Sequence, residues 1–356
     1  MVTLANLYAF IEKGHHITVI GPSPYHYYSG MGPGMLGKVY TPEDIRFATK
    51  DLVEKQGGTF VTGKVVRVDP KKKTVLLESG ATFFYDVISF NTGSYVPGTM
   101  VKGDWKDIFT VKPIETLIHA RTRILELVSQ KKITISIIGG GASAAEIAGN
   151  VWGLTRDVGV IEPEIRIFAG ENFMSHIPDN VRTKVVVSLN KRNIEILETG
   201  YVQEIETGHI TLESGKRFKT DLIFLAMGVK PSPIFEQSGL PTGPDGGLLV
   251  NTYLQNTEYP EIFGGGDCIY FKDRPLDKVG VYAVRENPIL YHNLMASLEE
   301  TYLMAFDPGG DYLLVFNMGD GTGVLRKKWL VFGGRLAFKI KDYIDRKFMR
   351  KFQSIE

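Results

Sequence analysis

Gly139, Gly141 and Ala144 stand at G-x-G-x-x-A spacing within "ISIIGGGASAAEIAGN". Glycine at the first position permits a tight turn, and at the second it lets backbone approach a pyrophosphate. Alanine at the third lets the following helix pack closely. The chemistry this spacing allows is dinucleotide binding, with the phosphates seated on a helix N-terminus. Such a loop needs a strand before it and a helix after it, and both are legible. Ile133 to Ile138 reads as a buried parallel strand, "GGGASAAE" (Gly139 to Glu146) as the loop and helix start, and Ile165 to Phe168 as the next strand. About 30 residues separate Gly139 from the end of that strand, as a dinucleotide fold requires. An acid usually closes this strand on a ribose. Here Ala169-Gly170 occupy the place, and Glu171, two residues later, is the candidate substitute. Arg166 lies within the strand and is not read as a 2′-phosphate clamp, so NADH against NADPH stays open.

Few other residues have catalytic spacing. The seven histidines show no metal-ligand pattern, and no Ser/His/Asp or paired-carboxylate arrangement stands out. One cysteine, Cys268, excludes a disulfide framework and a dithiol cycle within this sequence. Basic and acidic residues number 41 and 40, which gives a nucleic-acid partner no electrostatic support. The length of 356 residues exceeds one ordinary domain, and 39 glycines suit an α/β chain with many tight turns. No apolar run is long enough for a bilayer span and no signal peptide is visible, so the expected compartment is the cytoplasm.

An internal repeat sets the larger frame. "KVVRVDPKKKTVLLESGATFFYDVISFNTGSYVPG" (Lys64 to Gly98) parallels "YVQEIETGHITLESGKRFKTDLIFLAMGVKPSP" (Tyr201 to Pro233). Each runs as a small antiparallel meander, "LESG" included, and then an apolar strand returning to a parallel sheet. The second copy follows the complete strand-loop-helix-strand unit. The first follows only a predicted helix from Ala5 to Glu12 and a strand from Ile17 to Ile20. Aligned on the second copy, Met1 falls just after the glycine loop, and the expectation is that a first strand and its phosphate loop are missing.

Beyond the repeat, "EIFGGGDCIYF" (Glu261 to Phe271) resembles the late strand of the two-dinucleotide-binding flavoproteins, the pyridine nucleotide-disulfide oxidoreductase superfamily. "NTGSYVPG" (Asn91 to Gly98) resembles that family's Thr-Gly-Ser crossover and "AMGVKPSP" (Ala226 to Pro233) its second copy. "PSPYHYYSGMGPG", "VGVYAVRENPILYHNL" and "KIKDYIDRKFMRKF" are similar to an NADH-dehydrogenase-like subgroup. That subgroup is related to type II NADH:quinone and sulfide:quinone oxidoreductases, and the resemblance covers essentially the whole chain. It implies an α/β fold with an FAD domain (1–111 and 230–298), an inserted NAD(P) domain (112–229) and a small C-terminal α+β unit (299–356). It implies that Asp267, beside Gly266, bonds the ribityl chain of FAD, with Thr92, Gly93 and Ser94 at the crossover. Ser29 and Gly30 would lie beside the isoalloxazine, and Tyr282 and Arg285 near its opposite edge. On the nicotinamide side it implies Gly139, Gly141, Ala144, Gly228 and Glu146, the last being equally readable as a first-turn dipole partner. Gly21 replaces the usual first ribose acid, which leaves adenosine to groups such as Ser23. Lys112 in "TVKP" and Tyr282 are candidates for proton delivery. Cys268 is read as a small packed residue, with a lowered-pKa thiol at a helix start as the other reading.

The activity implied is FAD-dependent NAD(P)H dehydrogenation, with electrons passing to a small acceptor such as a quinone. The cofactors carry that chemistry, so a missing catalytic triad is no obstacle. The alternative is a non-catalytic or flavin-free nucleotide-binding protein, because the first phosphate loop is absent. A selenium- or sulfur-linked reductase is a third reading. At the C-terminal end, Arg335 to Phe352 carry seven basic residues against two acidic. Ile340, Ile344, Phe348 and Phe352 form an apolar stripe there, suited either to an anionic membrane surface, the inner face, or to packing on the chain itself or a homodimer partner.

Overall fold

The computed structural model describes residues 1–156 and 161–355. The first unit contributes strands β1 (Thr18–Gly21), β2 (Thr59–Thr62) and β3 (Ile88–Phe90). The second contributes β4 (Ile108–Thr110), β5 (Thr134–Ile138), helix α1 (Ala142–Arg156), β6 (Glu164–Phe168), β7 (Glu195–Leu197) and β8 (Leu222–Leu225). The chain then returns to the first unit with β9 (Ile262–Gly264) and α2 (Gly280–Leu298). It ends in β10 (Leu314–Asn317), β11 (Gly323–Lys327), β12 (Leu330–Gly334) and α3 (Arg335–Gln353).

In the second unit five parallel strands lie in the order β4-β8-β5-β6-β7. The register puts Ile135, Ile137, Ile167, Leu222 and Phe224 on one face of this sheet, where all are fully buried, and Phe168 on the other face packs edge-on against Phe218 of the second meander at 5.1 Å. The first unit repeats part of this pattern. β1 pairs with β2 and β3 with β9, both in parallel, and no hydrogen-bonded ladder joins the two pairs. Val19, Ile20 and Ile88 are consequently only half-buried. In the second unit β5 stands between the counterpart strands β6 and β8 and pairs with one edge of each.

The meanders agree down to an irregularity. In the first, the register shifts between Val65 and Arg67, and in the second between Val202 and Glu204. The two crossovers then meet each other, Tyr95 pairing with Lys230 and Ser94 with Pro231. One predicted element differs. The helix expected from Ala5 to Glu12 is two short turns, Val2–Ala5 and Tyr8–Ile11. Asn6 separates them, with its Nδ2 donating to the Val2 carbonyl at 2.8 Å. A side chain that satisfies backbone in this way competes with helix continuation.

The C-terminal unit is a three-stranded antiparallel sheet, β10-β11-β12, covered by α3. α1 docks against its β10–β11 turn at backbone distance. A Cβ on Gly149 would lie 2.6 Å from the Met318 carbonyl oxygen, and one on Gly153 2.1 Å from that of Gly319. Only glycine permits this approach. No helix among the described residues is long and apolar enough to cross a membrane.

Candidate active site

Three segments distant in sequence converge where β4 and β9 end. The Asp267 Oδ2 accepts the Ser94 hydroxyl at 2.7 Å and forms an ion pair with the Lys112 ammonium. The Lys112 Nζ also reaches Ser94 Oγ at 3.0 Å. Both partners meet Oδ2, and neither of these bonds uses Asp267 Oδ1. Each side chain has a structural reason for its place. Asp267 follows the Gly265-Gly266 turn, with Gly266 at φ +72°. Ser94 is fixed by the crossover pair, and Lys112 follows the end of β4. Gly93, at φ +64°, has open space where a Cβ would stand, which lets a flat ligand approach. Gly266, Asp267, Tyr282 and Glu286 line one small cavity. Tyr282 packs edge-on against Tyr312 at 5.9 Å. Arg285 instead donates to the Pro308 and Gly310 carbonyls and pins that loop.

The glycine loop of the second unit joins β5 to α1, the strand-loop-helix order its spacing predicts. Gly139 has φ +143°, and a Cβ there would lie 2.2 Å from the Ala226 carbonyl oxygen. Gly140, which the spacing rule passes over, meets Ala169 O at 2.5 Å in the same sense. Gly141 differs: nothing lies within 4 Å of its Cβ position, at the start of the 15-residue α1. That open space at a helix N-terminus fits a pyrophosphate. Ala144 is fully buried against the sheet. Gly228 has open space at its Cβ position, and Glu171 is exposed beyond β6. Arg166 pairs with Glu164 and Glu195, which accounts for it within the strand.

Other candidates stand elsewhere. Ser23 accepts the Tyr25 N–H at 3.1 Å, a local turn contact, and Ser29 is exposed. Glu146 is drawn toward the C-terminal unit: its Oε1 accepts the Asn317 N–H at 2.8 Å. Burial raises its carboxyl, opposed by the Lys341 ammonium and the Asn317 N–H. Lys341 also donates to the Gly30 carbonyl at 2.8 Å and to Asp345 at 2.7 Å, and so ties α3 to the turn that holds Ser29 and Gly30. Sequence reading did not find Lys341, Asp345 or Glu286, whose partners are set by tertiary packing. Cys268 is fully buried, its thiol donating to the Phe90 and Gly265 carbonyls, and burial pushes its pKa up. The lowered-pKa reading of Cys268 is therefore overturned. Among the described residues no His/Cys/Asp/Glu group could hold a metal.

Residues 3–294 match the family described as "Pyridine nucleotide-disulphide oxidoreductase". The chain is 26% identical over 243 residues to the "Nitrite reductase (NADH) large subunit" of Escherichia coli (strain K12), covering 66% of this chain and 28% of that protein. It is 26% identical over 303 residues to "Ferroptosis suppressor protein 1" of Taeniopygia guttata, covering 81% and 76%. It is 28% identical over 153 residues to the "Type II NADH:quinone oxidoreductase" of Haemophilus influenzae, covering 40% and 34%. The chain thus spans about a third or less of the first and last of these relatives. In fold it is similar to NDH2 from Plasmodium falciparum, solved in complex with NADH, at a TM-score of 0.83 and 14% identity over 99% of this chain and 94% of that one.

Proposed function

Because the chain belongs to the pyridine nucleotide-disulphide oxidoreductase family, whose members use FAD and NAD(P)H, we propose that it is an FAD-dependent NAD(P)H dehydrogenase of the type II kind. Its acceptor is a quinone or similar small molecule. The observation that carries this reading is the Ser94–Lys112–Asp267 cluster, three sequence-predicted residues brought to the end of the parallel strands. When bound, the two cofactors supply the chemistry of moving a hydride from nicotinamide to flavin.

The residues of this chain bind, orient and shield. Asp267, oriented by Ser94 and Lys112, offers Oδ1 to a ribityl hydroxyl. Gly93 leaves room for backbone to lie against a flat ring. Gly139 and Gly140 fix the turn that aims the α1 N–H groups at the nicotinamide nucleotide's phosphates. Lys112 holds a proton on Nζ within the cluster, and Tyr282 holds one on its phenol at the edge of the same cavity. Cys268 is locked in packing, and the chemistry uses no redox disulfide. FAD occupies the unit formed by 1–111 and 230–298, and NAD(P)H that formed by 112–229.

The outer face of α3 supports contact with a membrane, where a lipid quinone resides. Leu336, Tyr343 and Ile344 are 62%, 62% and 44% exposed, and Lys339, Lys347 and Arg350 are exposed beside them. A visible absorption spectrum of the purified chain, followed by anaerobic NADH, tests the main reading. Flavin bands that bleach support it. A colourless chain that still binds NADH favours a flavin-free nucleotide-binding protein.

A further inference from the structure

Glu286 lies on α2, only 1% exposed, and its carboxylate Oε2 accepts the Gly266 N–H at 2.5 Å. That N–H belongs to the turn that presents Asp267. The turn is held from several directions: Gly265 N–H donates to the Phe90 carbonyl at 3.0 Å, and its own carbonyl accepts the Cys268 thiol at 3.2 Å. α2 is pressed directly on it. A Cβ on Gly265 would lie 2.4 Å from Leu290 Cδ1 and 3.2 Å from Glu286 Oε2. No step of the proposed reaction uses Glu286, and a buried carboxylate kept against a glycine turn needs a reason.

We propose that Glu286 is a positioning residue: by holding the Gly266 N–H it fixes the direction of the Asp267 carboxylate and so sets how tightly the flavin is retained. The inference rests on the reading of Asp267 as the flavin's hydroxyl acceptor. The hold depends on charge, because a carboxylate binds an N–H about twice as strongly as a neutral acceptor does. Groups facing Glu286 come from three places. Asp267 and the Cys268 thiol belong to the turn, Lys278 to the loop before α2, and Tyr282 to α2 itself. Lys278 is paired with Asp245, and Asp267 with Lys112. Burial raises the Glu286 carboxyl, the Gly266 N–H lowers it, Asp267 raises it and Lys278 lowers it, leaving it at about 7. The turn is therefore gripped by a charge above neutrality and by a neutral acid below it.

The test compares wild type, Glu286→Gln and Glu286→Ala in two measurements. FAD retention of the purified full chain is followed from pH 5.5 to 8 by ultrafiltration. Wild type should hold FAD about fivefold more tightly at pH 8 than at pH 5.5. Glu286→Gln should be flat at the low-pH level, and Glu286→Ala weaker throughout. The melting temperature is measured over the same range without added FAD. A raised carboxyl in the folded state stabilises below the ordinary carboxylate range and loses that contribution as pH rises to about 7. The melting temperature of Glu286→Gln minus that of wild type should then increase with pH. A flat difference overturns the inference, as does an FAD profile in Glu286→Gln that matches wild type. If no variant retains FAD at any pH, the flavin reading and the link to retention fall together. A sloping melting difference would then leave Glu286 as the holder of the turn alone.

Discussion

Lys112 and Asp267 stand 155 positions apart and form an ion pair in which Ser94 bonds both members. The two side chains are 23% and 12% exposed, so solvent screens the pair incompletely. Removing the ammonium leaves a partly buried carboxylate with one hydroxyl partner. Lys112→Met should destabilise the fold by about 1–3 kcal/mol, read by urea denaturation. Asp267→Asn keeps the shape and one acceptor but removes the charge that orders Lys112. It should lose flavin more completely than Lys112→Met does, read from the visible absorbance per chain. Equal flavin content in both variants would argue against Asp267 as a ligand-bonding group.

Two glycines of the loop between β5 and α1 separate folding from the proposed nucleotide binding. Gly139 combines φ +143° with a Cβ position 2.2 Å from a carbonyl oxygen, so Gly139→Ala must displace backbone. It should cost about 2 kcal/mol or more. Gly141 faces open space, and Gly141→Val should fold within about 0.5 kcal/mol of wild type. Its side chain would stand where phosphates approach the helix, so KM for NADH should rise roughly tenfold or more in steady-state assays. An unchanged KM would move the nucleotide away from this loop.

These contrasts show what the sequence could and could not carry. The loop was legible because glycine spacing between a strand and a helix is a local pattern, although the groups that crowd Gly139 and Gly140, the Ala226 and Ala169 carbonyls, come from other strands. The repeat was legible for the same reason, down to matching bulges after Val65 and Val202. The ion pair of Lys112 was only half legible: its residues could be nominated, but topology decides that they meet. Glu146 shows the limit most clearly. It sits where a nucleotide-facing acid is expected, yet its acceptor oxygen is taken by Asn317, 171 positions later. The C-terminal stripe divides between its two readings, packing on the chain at one end and facing outward at Ile344. Residues four apart advance by about 40° per step around a helix, so a four-member series wraps away from one face. Phe348 and Phe352 turn inward onto Phe47, while Ile344 is 44% exposed.

The glycine contact between α1 and the C-terminal unit predicts a third effect. Gly149 and Gly153 let helix backbone touch Met318 and Gly319, and Asn150 donates to the Asn317 carbonyl at 3.2 Å between them. Gly153→Ala would place a methyl 2.1 Å from a backbone oxygen, where neither side can yield by a rotamer change. Helix propensity alone favours alanine by about 1 kcal/mol, so a measured loss of stability isolates the packing contact. The expected net loss is about 1–3 kcal/mol in chemical denaturation. A gain would mean that the two units separate freely.

The outer face of α3 gives the last prediction. Leu336, Tyr343 and Ile344 are exposed, yet the inner face is anchored by Asp345, Met349 and Phe352, which are buried. Replacing the three exposed residues by serine should leave the fold within about 1 kcal/mol of wild type, since none fills the core. Binding to vesicles containing anionic phosphatidylserine should fall at least tenfold, because burying each apolar side chain in the interface contributes on the order of 1 kcal/mol. Wild-type binding should also weaken between low and high salt, since Lys339, Lys347 and Arg350 attract the lipid charge through a screened field. NADH oxidation with a water-soluble quinone analogue should be unchanged in the triple variant, whereas activity with a long-chain quinone held in those vesicles should drop. Sedimentation of wild type with the vesicles that equals the triple variant would remove the membrane from the account and leave this face for another surface.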